Sequence, residues 1–294
     1  MQVDIMIWFQ GLFENFTKFF DVFFMIVTAF GEEIILFILL PIFYWAINKK
    51  ASHLVAVAGF ASLTLNGVIK DIAKVERPIG NPNIRFVEIE NFLVDTVHLK
   101  EGSYSFPSGH SQTISVLSFS FATFYNKKKL WICASVITVL VMLSRMYLGV
   151  HWPLDVLVGG LLGLLSAVVC YLLFKKCEGD AKFKLFAAIE LLCIVALFFA
   201  EKSDTFKSVG ACVGFVIGAL FEDRLVKFDP TEGPIWKKIV RCAIGLLFVG
   251  GLKAGLKPIF GLISDHVCMD FFRYMIIVFV AIAIYPMIFK KLKL

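Results

Sequence analysis

Three short stretches carry the residues of this chain that are able to do chemistry: KDIAKVERP at 70–78, PSGH at 107–110 and SRMYLGVHWPLD at 144–155. Lys70, Arg77 and Arg145 are cations, His110 and His151 can attack or move protons, and Asp155 can orient a ring. All sit at the ends of apolar runs, where ionisable groups are costly and usually functional. Cations around an imidazole suit phosphoryl transfer, whose loose transition state needs positioning and charge stabilisation above all.

Lys70 and Arg77 are seven residues apart, about two helical turns, so the spacing predicts both on one face at the end of a helix that Pro78 stops. PSGH opens the next apolar run. Pro107 suits a first helical turn, and Ser108, Gly109 and their backbone N–H groups would stand at the positive end of the helix dipole, where phosphate binds readily. Gly109 permits close backbone approach, the Ser108 hydroxyl adds a donor, and His110 can supply a proton. His151 and Asp155 are spaced i, i+4 at a helix start, which puts carboxylate and imidazole on one face. Asp155 can then accept the Nδ1 proton and leave a nucleophilic lone pair on Nε2. Arg145, six residues before His151, brings a planar fork matched to phosphate oxygens. Each stretch alone has a plainer reading: snorkelling cations, a cap with an incidental histidine, a histidine beside an acid. Together, in order and on one expected face, they make a phosphate-transfer site.

The elements that must position these residues are membrane helices. The chain has 294 residues, 59% of them hydrophobic, and a mean hydropathy of +0.82, against an apolar share of about 45–50% in soluble domains. The expected fold is an all-α polytopic membrane helix bundle. Apolar runs near 22–47, 52–76, 107–126, 130–149, 153–174, 183–200, 207–221, 239–263 and 267–289 read as about nine transmembrane helices. Residues 5–20 read as an amphipathic helix lying in the interface. The chain then divides into an N-terminal interfacial segment (1–21), a membrane core (22–174) and a C-terminal transmembrane extension (175–294).

Basic residues cluster at alternate connections: Lys49 and Lys50, Lys127 to Lys129, Lys175 to Lys184, Arg224 to Arg241, and the last lysines. Those connections are expected in the cytoplasm, which puts all three motifs on the non-cytoplasmic face. The net charge of +6 follows from this bias and calls for no nucleic-acid partner. Asp4 and Glu14 precede any basic cluster, so the N-terminus lacks the cationic region of a cleaved signal and is expected to be retained. The seven cysteines form no CxxC or Cys/His cluster and read as small buried hydrophobes.

Some residues stay open at this stage. Lys253, Lys257, Asp270 and Arg273 form either a second polar pocket for a lipid headgroup or a structural ion-pair cluster. Glu32 and Glu33 can pair with these cations or with the site. The 79–106 segment mixes apolar and acidic residues, as an interfacial lid or a plain solvated loop would.

The set KxxxxxxRP, PSGH and SRxxxxxHxxxD resembles the signature of the type 2 phosphatidic acid phosphatase superfamily. That superfamily includes lipid phosphate phosphatases, undecaprenyl diphosphate phosphatases, glucose-6-phosphatase and the vanadium haloperoxidases. Lys70, Arg77 and Pro78, then 107–110, then Ser144, Arg145, His151 and Asp155 fill the pattern without departure. The resemblance covers 70–155 and implies a six-helix phosphatase core. It also implies that His151 is the nucleophile forming a phosphohistidine, Asp155 its orienting partner and His110 the acid on the leaving oxygen. Lys70, Arg77, Ser108, Gly109 and Arg145 would hold the phosphoryl oxygens, with no metal or other cofactor. A nitrogen nucleophile forming a covalent intermediate fits the missing metal-ligand set.

The expected activity is hydrolysis of a membrane lipid phosphate or diphosphate in the cell membrane: a prenyl diphosphate, a glycerophospholipid phosphate, a sphingoid phosphate or lipid A. Two alternatives stand beside it: a phosphatase of a soluble phosphoester, similar to glucose-6-phosphatase, and a non-catalytic transporter or scaffold that binds phosphate lipids. Oligomeric state is not legible.

The charge census makes a testable prediction of orientation. In intact cells, an impermeant thiol reagent should reach a cysteine introduced in the 79–106 segment and miss Lys128→Cys. The reverse pattern would move the chemistry to the cytoplasmic leaflet.

Overall fold

A computed structural model describes residues 1–89, 96, 99, 103–177, 179–292 and 294. Every regular element among the described residues is helical, with no strand. The helices are α1 (Gln2–Gly11), α2 (Thr17–Ala29), α3 (Glu33–Ala46), α4 (Lys49–Ala73), α5 (Gly109–Tyr125), α6 (Lys128–Tyr147), α7 (Pro153–Phe174), α8 (Asp180–Ala196), α9 (Ser203–Phe221), α10 (Ile235–Ile263), α11 (Cys268–Phe279) and α12 (Tyr285–Lys291). The chain is an all-α, multi-pass membrane protein.

Each of the nine apolar runs contains a helix, but the count of nine spans is not confirmed. Five helices are long and apolar enough to cross a membrane: α4, α6, α7, α10 and the continuous Cys268–Lys291. The pair Glu14–Ala29 and Glu33–Ala46, bent by 46°, makes a sixth if taken as one span. The shortfall has a compositional cause. Helix α5 has 17 residues and is rich in Ser and Thr, α8 has 17 and carries Asp180, Lys182, Lys184 and Glu190, and α9 opens on Ser203, Asp204 and Lys207.

Residues 5–20 are not one amphipathic helix. Helix α1 stops at Gly11 and α2 begins at Thr17. Nor is α1 two-faced: Met6 and Phe9 are buried while Ile5, Ile7 and Trp8 are exposed. Phe13 accounts for the break, because its ring meets Phe9, Phe20, Phe24 and Tyr147 at centroid distances of 4.4–5.5 Å, a cluster that a straight helix could not close.

The structure resolves into two compact units, residues 1–36 with 68–168 and residues 37–67 with 169–294. The first contains all three motifs. Within it α7 lies against the start of α5 through glycines: a Cβ on Gly159 would stand 2.5 Å from the Ser108 carbonyl oxygen, and one on Gly163 2.5 Å from that of Gln112. Four-residue spacing of small residues is how membrane helices let backbones approach. The α6–α7 turn is braced as well. Gly149 (φ +73°) would press a Cβ to 2.3 Å from the Arg85 carbonyl oxygen, and Gln10 donates to the carbonyls of Arg85 and Tyr147 at 2.8 Å each.

In the second unit α9 meets α11 through Gly210 and Gly214, whose added Cβ atoms would lie 2.1 and 2.2 Å from the carbonyl oxygens of Phe271 and Met275. Its buried Glu222 accepts from Lys49 Nζ at 2.8 Å, from Tyr44 and from the Phe228 N–H, the saturation that a buried carboxylate needs. Arg273 pairs with Asp270 at 2.7 Å, and Asp270 also accepts from Ser203. Lys253 lies 5.9 and 6.0 Å from the Phe37 and Tyr274 ring centroids. These contacts are those of an ion pair and aromatic packing. Cys193 and Cys212 are buried as expected of small hydrophobes, while Cys133 is exposed.

Candidate active site

Helix α4 ends at Ala73, four residues before Arg77, so the two cations of the first motif do not share a helical face. Lys74 adopts φ +47° and closes the helix with its N–H on the Lys70 carbonyl at 3.0 Å. Further on, the residue before Pro78 is disfavoured in α conformation. Lys70 stays in the last turn and Arg77 arrives on an irregular segment. Backbone and hydroxyl acceptors then fix Arg77: Nε donates to the Ser103 carbonyl (3.0 Å) and hydroxyl (2.9 Å), and Nη2 to the Tyr104 carbonyl (3.1 Å). Nη1 donates to the Val150 carbonyl at 2.8 Å and to His151 Nε2 at 3.0 Å.

Ser108, fully buried, is the N-cap of α5 and accepts from the Ser111 N–H (3.4 Å) and hydroxyl (3.0 Å). Pro107 therefore precedes the cap instead of occupying the first turn. The Ser108 N–H donates to the Asp155 carbonyl at 3.0 Å, so this amide ties α5 to α7 and is not a phosphate donor as the motif predicts. Its hydroxyl keeps a proton to donate. Gly109 begins the helix. His110 follows, and its Nε2 lies 2.9 Å from Glu32 Oε1.

Helix α7 starts with Pro153 at its first position, suited by a fixed φ and an absent N–H. Two residues on, Asp155 Oδ2 accepts the Trp152 N–H at 2.8 Å, the acid half of a capping box. The same oxygen accepts the Ser105 hydroxyl and faces His151 Nδ1 at 3.5 Å. That is long for a hydrogen bond, as such pairs often are before substrate tightens them. With Arg77 donating to Nε2, the proton belongs on Nδ1, toward Asp155.

Arg145, 1% exposed, sits in the last turn of α6, where a cation is favoured. Its Nη1 donates to Thr28 Oγ1 at 2.9 Å, and its buried Nε has no partner among the described residues. A buried guanidinium donor left over in this way is a fit for an anion. Burial and then the charges of Arg77, Arg145 and Lys70 hold the His151 ring well below its ordinary pKa, so it is neutral at pH 7. Arg77 is itself drawn down to about 9, by burial and then by Arg145. Crowded cations over a neutral imidazole favour a multiply charged anion beside a nucleophilic nitrogen.

The structure thus brings together Lys70, Arg77, Ser108, His110, Arg145, His151 and Asp155 in one unit. Ser105, Thr28 and Glu32 join them unannounced by any motif. Thr28 lies inside an apolar run and Ser105 in a loop, with no periodicity to mark either; Glu32, left open by the sequence, meets His110. Among the described residues no three His, Cys, Asp or Glu side chains converge as metal ligands. The 79–106 segment, read as a lid or a solvated loop, lies partly outside the described residues. Its described part is anchored, with the Val87 N–H on the Leu148 carbonyl at 3.1 Å and Arg85 on Asp21 at 2.6 Å.

Comparison with known proteins gives two family matches: the PAP2 superfamily over residues 50–178, and the PAP2 superfamily phosphatase transmembrane extension over residues 206–294. The chain is 44% identical over 75 residues to an undecaprenyl-diphosphatase of Sulfolobus acidocaldarius, covering 25% of this chain and 36% of that protein. It is 47% identical over 74 residues to phosphatidylglycerophosphatase B of Bacillus subtilis, covering 22% and 36%. It is 26% identical over 243 residues to sphingosine-1-phosphate phosphatase 2 of Mus musculus, covering 76% and 66%. Against the first two relatives the match spans about a third of their length. No solved structure matches.

The depressed His151 value sets the sign of a pH effect. For His151 acting as a nucleophile the neutral ring is the competent form, so lowering its pKa keeps it competent below 6.5, and rate is lost only as pH falls through the shifted value. In a kcat/KM profile corrected for ionisation of the substrate, the acidic limb should lie below about pH 6.5. A limb at or above that value would contradict the neutral, cation-crowded ring.

Proposed function

The chain belongs to the PAP2 superfamily, and from that premise we propose that it hydrolyses a phosphate ester or anhydride of a membrane lipid through a phosphohistidine on His151. The carrying observation is an imidazole whose Nε2 lies 3.0 Å from Arg77 Nη1, with Asp155 behind its other nitrogen. In this reading the phosphoryl group takes the place of Nε2 as acceptor for Arg77, and Lys70, Arg145, the Ser108 hydroxyl and the Gly109 N–H hold its remaining oxygens. Nε2 attacks phosphorus, the bond to the leaving oxygen breaks, and His110 gives that oxygen a proton. Water then attacks the phosphohistidine, His110 takes a proton back, and phosphate departs.

Relatives named for undecaprenyl diphosphate, phosphatidylglycerophosphate and sphingosine-1-phosphate support a lipid substrate. The two family matches, ending at 178 and beginning at 206, are compatible with a phosphatase core at 22–174 and an extension at 175–294. Placement of the site on the non-cytoplasmic face of the cell membrane rests on the distribution of lysine and arginine.

Chain length tests the substrate. Burial of apolar chain contributes about 0.8 kcal/mol per methylene, so kcat/KM for lipid phosphates in mixed micelles at fixed surface concentration should rise with chain length until the groove is filled. Glucose-6-phosphate should be a poor substrate. Equal or better turnover of the sugar phosphate would replace the lipid assignment with a soluble phosphoester.

A further inference from the structure

The break between α2 and α3 delivers a carboxylate to the PSGH histidine. Helix α2 closes with the Gly31 N–H on the Thr28 carbonyl at 2.9 Å and the Glu32 N–H on that of Ala29 at 3.2 Å. The chain bends by 46° across the break. Gly31 lies against the first turn of α5 so closely that a Cβ would stand 2.8 Å from His110 Cβ and 2.9 Å from Val141 Cγ1. Thr28 and Glu32, four residues apart, are thereby set on Arg145 and His110, the latter pair at 2.9 Å with both side chains only 21–25% exposed.

We propose that Glu32 is the positioning residue of the proton donor and fits the site to phosphate monoesters of a lipid alcohol in preference to lipid diphosphates. The inference rests on the phosphatase reading above. A carboxylate on Nε2 holds the ring orientation, offsets part of what burial and the charges of Arg145 and Lys70 cost its protonated form, and leaves Nδ1 to exchange the proton with the leaving oxygen. As the bond from His151 Nε2 to phosphorus forms and the P–O bond breaks, the Nδ1 proton passes to that oxygen. Alcohol is released and His110 is left neutral with its Nε2–H on Glu32. An alkoxide is a far stronger base than a phosphate, so only the monoester needs this acid. A diphosphate expels an anion that leaves well unprotonated and would have to depart past the like charge of Glu32.

Three substrates sharing one long chain separate the possibilities: an alkyl monophosphate, the alkyl diphosphate, and a nitrophenyl phosphate carrying that chain, whose leaving group is acidic. Wild type should prefer the monophosphate to the diphosphate in kcat/KM. Glu32→Gln should lower kcat for the alkyl monophosphate by about 10², the scale of a positioned general acid, and change nitrophenyl phosphate turnover by less than about threefold. Glu32→Asp, which keeps the charge, should recover part of the alkyl rate, and this variant decides the matter if Glu32→Gln loses all turnover. A wild-type preference for diphosphate, equal losses on alkyl and aryl substrates with no recovery in Glu32→Asp, or an undiminished alkyl rate would each overturn the role of Glu32. Wild type inactive on all three would instead overturn the phosphatase reading itself.

Discussion

Positive charge held out of water against a neutral imidazole is the constraint that the first unit is built around. Arg145 is buried with a donor unused, Arg77 spends its fork on three carbonyls and the ring nitrogen, and Lys70 stands close enough to act on the same histidine. Isolated charges in such surroundings cost several kcal/mol each, and a site of this kind is maintained only by acceptors fixed in advance. The acceptors here are mostly backbone carbonyls of 103–104 and 150 together with Thr28. In the proposed reaction an arriving phosphoryl group would bring the charge that this arrangement lacks, so binding and transition-state stabilisation would draw on the same imbalance.

Close helix approach makes the arrangement possible. Gly159 and Gly163 let α7 meet the first turns of α5, and the Ser108 amide then bonds the carbonyl of Asp155. Asp155, which faces His151, thus also docks the two helices and caps α7 through Trp152. Gly31 plays a matching part on the other side of α5, where its missing side chain lets the α2–α3 bend approach His110.

Much of this was legible in the residues. The i, i+4 spacing of His151 and Asp155 predicts that the two side chains meet, and they do, although His151 stands in the turn two residues before α7 and faces Asp155 from there instead of from a shared helical face. Arg77 was misplaced on a helix since the left-handed turn at Lys74 ends α4 early, and nothing in a lysine announces that conformation. The Ser108 amide was misassigned for a similar reason: whether an N-terminal N–H is spare depends on a carbonyl 47 residues away. Thr28, Ser105 and Glu32 act through tertiary contacts alone, which no periodicity records. The count of nine spans is left unconfirmed by α5, α8 and α9, which are short helices, rich in Ser and Thr or charged.

Whether His151 carries the phosphoryl group decides the account. Wild-type protein would be mixed with a lipid phosphate labelled on phosphorus, quenched within the first turnover in denaturant and mapped by peptide mass spectrometry. The account predicts label on the His151 peptide of wild type, none in His151→Ala, and turnover abolished in that variant while the protein remains folded. Label on another residue, or undiminished turnover without His151, would contradict it.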